Sequence, residues 1–155
     1  MGNHTEALQI DFDPNEISFQ QIVQKFWQSH NPIGRARTAQ YKSAIWYASE
    51  QQQAIIAETA APQAAKLQSE LTTEVLPMKV FYVAEDYHQK YILQRNAAVM
   101  KNFMGMYPRF KDVVDSTAAA RLNGFAGGYG TRELFDAEKH SYGQPLIQIE
   151  STFRP

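Results

Sequence analysis

From Thr5 to Phe12 the chain alternates: Leu8, Ile10 and Phe12 fall on one face, and Ala7, Gln9 and Asp11 on the other. A period of two predicts a half-buried strand. Asp13-Pro14 closes it, because proline lacks the N–H that a ladder needs. The period then lengthens. Phe19, Ile22, Val23, Phe26 and Trp27 recur at helical spacing and form one apolar stripe, and Ser18 with Gln21 makes the pairing of a capping box. Asn31-Pro32 ends this helix. The pair Phe26-Trp27 suits packing against a sheet, with the wall of a pocket as the alternative.

Ser43 to Tyr47 is short, aromatic and β-branched, which predicts a second strand with Tyr41 at its entrance. The loop before it carries Arg35 and Arg37, a basic pair read as solvated. Ser49 with Gln52 opens a long Ala/Gln/Glu-rich helix to about Glu70, and Pro62 predicts a kink or break within it. Residues 72–76 and 79–83 read as strands separated by Pro77, and Asp86 as the cap of a helix through Leu93. Strand, helix, strand, helix, strand predicts an α/β sandwich with helices packed on a sheet.

Beyond Leu93 the pattern weakens. Val99, Met100, Phe103, Met104 and Met106 suit gap-filling core or a loop against it. A short helix is expected from Ser116 to Leu122, ended by Asn123-Gly124. Gly124 to Gly130 reads as a flexible turn, since its spacing fits neither of the glycine-rich phosphate motifs. After Tyr142 no periodicity is legible.

Composition narrows the chemistry. At 155 residues and 44% apolar the chain can bury one real core. A net charge of −1 gives no electrostatic reason to expect nucleic acid or an anionic membrane, and neither a membrane-length apolar run nor a signal-peptide pattern is present. A cytoplasmic location is the expectation. There is no cysteine, so these residues supply no disulfide, thiolate metal site or cysteine nucleophile. His4, His30, His88 and His140 lack ligand spacing, so no metal is expected, and Glu85 and Asp86 are adjacent rather than opposed, which suits a helix start better than paired acid–base work. No bound cofactor is expected.

Glu6 remains. It falls where the apolar face of the first strand begins, and desolvation there would favour the protonated form and permit general-acid chemistry. A strand-end carboxylate in water is the other reading.

Three segments together resemble the peptide methionine sulfoxide reductase A family. They are Gly-Asn-His-Thr-Glu-Ala at 2–7 with Asp-Pro at 13–14, Gln-Tyr-Lys-Ser-Ala-Ile at 40–45, and Phe-Tyr-Val-Ala-Glu-Asp-Tyr-His-Gln-Lys-Tyr at 81–91. Phe26-Trp27 through His30-Asn31-Pro32 fits in order and separation. The resemblance covers residues 2–94, taken as a partial reductase-like domain, with 95–155 as an extension of it. It implies an α+β fold, a two-layer α/β sandwich of the ferredoxin-like plait kind.

The implied activity is reduction of the S epimer of methionine sulfoxide, free or in proteins, a repair of oxidative damage. A cysteine thiolate attacks sulfur, a glutamate protonates the oxygen, tyrosine hydroxyls hold that oxygen, and thioredoxin or another thiol is the reductant. Glu6 matches the family glutamate and Tyr41 the tyrosine of the Gln-Tyr motif, which favours the buried-acid reading of Glu6. The departures matter too. The family's Gly-Cys-Phe-Trp-Gly segment has no counterpart here, nor does a resolving cysteine, and Ala36 stands where an aspartate is common. The expectation is a truncated form lacking the first strand and helix, without turnover of its own and prone to weak stability or self-association. A non-catalytic module that binds methionine sulfoxide or a protein partner is the alternative.

Overall fold

The computed structural model describes residues 4–142. Gly2 and Asn3 of the first motif, and the tail after Tyr142, lie outside the described residues. The chain divides into two compact units, residues 1–82 and 83–155, so the reductase-like stretch expected over 2–94 runs from the first into the second.

The first unit is built on a strand–helix–strand crossover. Helix α1 (Phe19–Gln28) starts at Ser18 with both halves of the predicted capping box formed: Ser18 Oγ accepts from the Gln21 N–H, and the Gln21 side chain accepts from the Ser18 N–H. Strand β1 (Ala44–Tyr47) leads into α2 (Glu50–Leu67), which returns the chain to β2 (Glu74–Pro77). The two strands are parallel, with Ala44 opposite Glu74 and Tyr47 opposite Pro77. Val23 and Trp27 of α1 and Ile56 of α2 are buried together, with Ile45 and Tyr47 of the sheet packed on them. The Trp27 Nε1–H donates to Thr59 Oγ1 at 3.1 Å, so this buried indole has its partner. Phe26-Trp27 is therefore core.

Five expectations change here. Residues 4–13 form no strand, although their alternation is intact, because no neighbouring strand offers a ladder. Leu8 is 81% exposed. Residues 78–85 are likewise unpaired: the Met78 N–H still reaches the Tyr47 carbonyl at 2.8 Å, but β1 ends at that residue. Helix α2 runs through Pro62 without a break, at an exposed position where water can satisfy the carbonyl freed by the missing N–H. It stops earlier than expected, where Gln68 takes a left-handed conformation (φ 49°) and caps the carbonyls of Ala64 and Ala65. The second capping box is only half formed, since the Gln52 side chain accepts from Ala48 rather than from Ser49.

The second unit is helical among its described residues. The helix expected from Asp86 to Leu93 is split into a 3₁₀ turn (Asp86–His88) and α3 (Tyr91–Gln94), divided by Lys90 at φ 47°. The cap position falls on Glu85, whose side chain makes no capping bond. Then come α4 (Ala97–Met106), α5 (Phe110–Val114), α6 (Thr117–Ala126) and α7 (Arg132–Glu138). Val99 and Phe103 of the methionine-rich stretch are buried with Leu122, Phe125 and Phe135. Each such side chain contributes roughly 1.5–3 kcal/mol through burial. Helix α6 continues past Asn123-Gly124, because the Asn123 side chain is occupied in accepting the Leu93 N–H at 3.0 Å instead of ending the helix. Within the glycine run, positive φ falls on Gly128 and Gly130.

The observed architecture is thus helices with a small parallel sheet. Among the described residues, no helix is long and apolar enough to cross a membrane.

Candidate functional site

The site forms where the extended residues 4–6 lie along the loop that enters β1. A 3₁₀ turn, Ala39–Tyr41, presents Gln40 and Tyr41. Thr5 Oγ1 donates to the Ala39 carbonyl at 3.0 Å, and the Glu6 N–H donates to the Gln40 carbonyl at 2.9 Å. The Gln40 side-chain amide then donates to the Glu6 carboxylate at 2.8 Å. Backbone and side chain of Glu6 are therefore both fixed to the residue that precedes Tyr41. One residue back from this pair, the His4 ring meets the Tyr82 ring edge-on, with centroids 5.1 Å apart. Tyr41 and Tyr82 are 64% and 68% exposed, so both phenols are open to a ligand.

Glu6 itself is exposed. The buried-acid expectation fails for the geometric reason already given: without a ladder Leu8 and Ile10 stay exposed beside Glu6, and only Phe12, at the far end, packs on a neighbour, Phe19. What holds Glu6 is hydrogen bonding to Gln40.

The loop is anchored from the other side by residues next to β2. The Pro32 carbonyl accepts the N–H of Thr72 at 2.8 Å, and Thr72 Oγ1 donates to the Gly34 carbonyl at 2.7 Å. Beyond Tyr41, Lys42 pairs with the Glu74 carboxylate at 2.8 Å. Arg35 and Arg37, between these anchors, are exposed as expected. Sequence reasoning missed Gln40, Thr72 and also Thr73, whose N–H reaches the same Pro32 carbonyl at 3.3 Å, as parts of the site. Gln40 was visible in the Gln-Tyr pair, whereas the threonines carry no signal beyond a strand preference. Among the described residues, no group of three or more His, Asp or Glu side chains is placed to hold a metal ion.

The family model for peptide methionine sulfoxide reductase matches residues 1–121. The chain belongs to the peptide methionine sulfoxide reductase A family. It is 37% identical to a peptide methionine sulfoxide reductase of Drosophila melanogaster over 149 residues, which is 92% of this chain and 58% of that protein. Against peptide methionine sulfoxide reductase MsrA 1 of Synechocystis sp. it is 44% identical over 101 residues, 59% of this chain and 46% of the relative. Against MsrA of Pasteurella multocida it is 31% identical over 121 residues, covering 71% and 70%. The chain spans about half the length of the first two relatives. The reductase family match includes all three segments that carry the resemblance.

Proposed function

We propose that this chain carries the proton-donor and oxyanion-holding side of a peptide-methionine (S)-S-oxide reductase site. The observation that supports the reading is the paired hydrogen bond between Glu6 and Gln40, which ties Glu6 to the residue that precedes Tyr41. In this reading Glu6 gives a proton to the sulfoxide oxygen, and the Tyr41 hydroxyl donates a hydrogen bond to it. A thiolate attacks sulfur and forms an S–S bond while the protonated oxygen leaves as water with the S–O electron pair; water then attacks the thiol's sulfur, methionine leaves with the S–S electron pair, and a sulfenic acid remains. These 155 residues contain no cysteine, so the thiol comes from elsewhere. Thioredoxin or another dithiol then reduces the sulfenic acid, and no bound cofactor takes part.

The exposure of Glu6 has a place in this scheme. A methionyl substrate or a thiol-bearing segment seated over it would withdraw the carboxyl from water and favour its acid form. The family's two-layer plait, rather than the two-stranded sheet alone, would be the scaffold for that covering. The work belongs to a reducing compartment, the cytoplasm.

A second reading has its own support. With no cysteine in the chain, the same residues serve a non-catalytic module that binds methionine sulfoxide or a protein partner. Titrating labelled protein with peptides carrying S- or R-methionine sulfoxide tests the common core of both. Amide shifts at Glu6 and Tyr41 with the S epimer alone are expected; equal response to both epimers, or none, refutes the site. Supplying a separate thiol nucleophile together with a dithiol separates the readings, since only a reductase site then releases methionine.

A further inference from the structure

Three consecutive residues, Thr72, Thr73 and Glu74, hold both ends of the loop that presents Gln40 and Tyr41. At its start the Pro32 carbonyl accepts the N–H groups of Thr72 (2.8 Å) and Thr73 (3.3 Å), and the Thr72 hydroxyl reaches the Gly34 carbonyl (2.7 Å). At its end the Glu74 N–H donates to the Ser43 carbonyl (3.0 Å), and the Glu74 carboxylate takes Lys42 (2.8 Å). The middle of the loop is where Thr5 and Glu6 attach.

The clamp has a buried side-chain link to α1. His30 Nδ1 lies 2.9 Å from the Phe26 carbonyl, and a carbonyl can only accept, so Nδ1 carries the proton. In the neutral ring Nε2 is then the acceptor for the Thr73 hydroxyl, 2.8 Å away. Thr73 is 8% exposed, one of two buried polar residues among those described. The other, Thr59, receives the indole of Trp27, which stacks near the same histidine with ring centroids 6.0 Å apart. The same hydroxyl lies 3.4 Å from the Pro32 carbonyl, so Thr73→Val keeps the branched shape and removes the reach to both His30 and Pro32.

We propose that Thr72, Thr73 and His30 are positioning residues that fix the Gln40–Tyr41 turn and, through Gln40, the carboxylate of Glu6. None of them touches substrate; they act by setting the loop from its anchored ends. The proposal rests on the sulfoxide-binding reading for its effect on affinity, while its geometric part stands by itself.

The test compares Thr73→Val, which keeps the shape and loses the hydroxyl, with Thr73→Ser, which keeps the hydroxyl. In Thr73→Val the nuclear Overhauser contacts between the Glu6 and Gln40 backbones weaken, while the amide peaks of Val23 and Ile56 stay in place. Affinity for a peptide carrying S-methionine sulfoxide falls about fivefold, the scale of one hydrogen bond. Thr73→Ser restores both. Unchanged Glu6–Gln40 contacts in Thr73→Val, or loss in both variants alike, overturns the proposal. If Thr73→Val shifts the Val23 and Ile56 peaks as well, Thr72→Ala decides by the same readouts. If the native chain binds no sulfoxide, the functional reading falls, and the Glu6–Gln40 contacts still decide the positioning role.

Discussion

The carboxylate of Glu6 accepts the side-chain amide of Gln40 at 2.8 Å while the Glu6 N–H donates to the Gln40 carbonyl at 2.9 Å. Two residues 34 positions apart thus form a closed pair, and through it the first motif of the chain is fastened to the turn that bears Tyr41. Both side chains are exposed, so the pair serves placement more than stability.

Gln40→Leu therefore leaves folding within about 1 kcal/mol of the native chain, the range for exposed hydrogen bonds. Its effect falls on the site. Glu6 and Tyr41 amide peaks move, and affinity for an S-methionine sulfoxide peptide drops severalfold. Chemical denaturation with peptide titration measures both, and a large stability loss would contradict the placement role.

Thr59→Val should cost about 1–3 kcal/mol, because it leaves the buried Trp27 indole N–H without a partner. The hydroxyl also back-bonds to the Ile55 carbonyl at 2.9 Å, a local bond whose loss frees no buried donor. A double variant with Trp27→Phe should recover part of the indole-specific loss, readable as coupling in a double-mutant cycle. Strict additivity would count against the bond.

Two glycines of the second unit predict opposite signs. A Cβ at Gly124, inside α6, meets nothing within 4 Å, so Gly124→Ala should stabilise by about 0.5–1 kcal/mol. At Gly130 (φ 94°) a Cβ would lie 2.6 Å from a ring carbon of Phe125, so Gly130→Ala should destabilise by roughly 1–3 kcal/mol. Melting temperatures of the two variants would then move in opposite directions.

Tyr142 is buried, its hydroxyl bonded to the Glu138 carboxylate, which also pairs with Arg121. Burial, reinforced by the Glu138 bond, pushes the phenol from 10.0 up to about 12. The folded value lies above the unfolded one, so this contribution to stability is complete below pH 10.0 and is lost as pH rises toward about 12. A tyrosinate absorbance titration should show one late component in the native chain that Tyr142→Phe lacks. Identical curves would show that the phenol ionises freely.

Leu8 at 81% exposure, and Val80 and Val83 in the unpaired stretch after β2, leave apolar side chains in water. Sedimentation at increasing concentration should reveal self-association, reduced in Leu8→Lys or Val80→Lys. A monomer over the whole range would mean that these side chains are tolerated singly.

Local chemistry was legible wherever it closes within a few residues. The Ser18–Gln21 box and the apolar stripe of α1 need only neighbours along the chain, and they form as the pattern implies; the strand expected at 43–47 forms as β1 because β2 supplies its ladder. Family membership was equally legible, because three ordered motifs survive any particular packing. Strands at 5–12 and 79–83 were not, since a strand exists only when another backbone supplies its ladder, and alternation cannot say whether one is there. The Glu6 environment failed with them: sequence can place a carboxylate on an apolar face, but only a covering layer desolvates it. Tertiary structure decided instead that Glu6 is held by Gln40, and that Thr72 to Glu74 anchor the loop from both ends. Such long-range hydrogen bonds arise from where the parallel β1–β2 register brings the chain, and no local period encodes them.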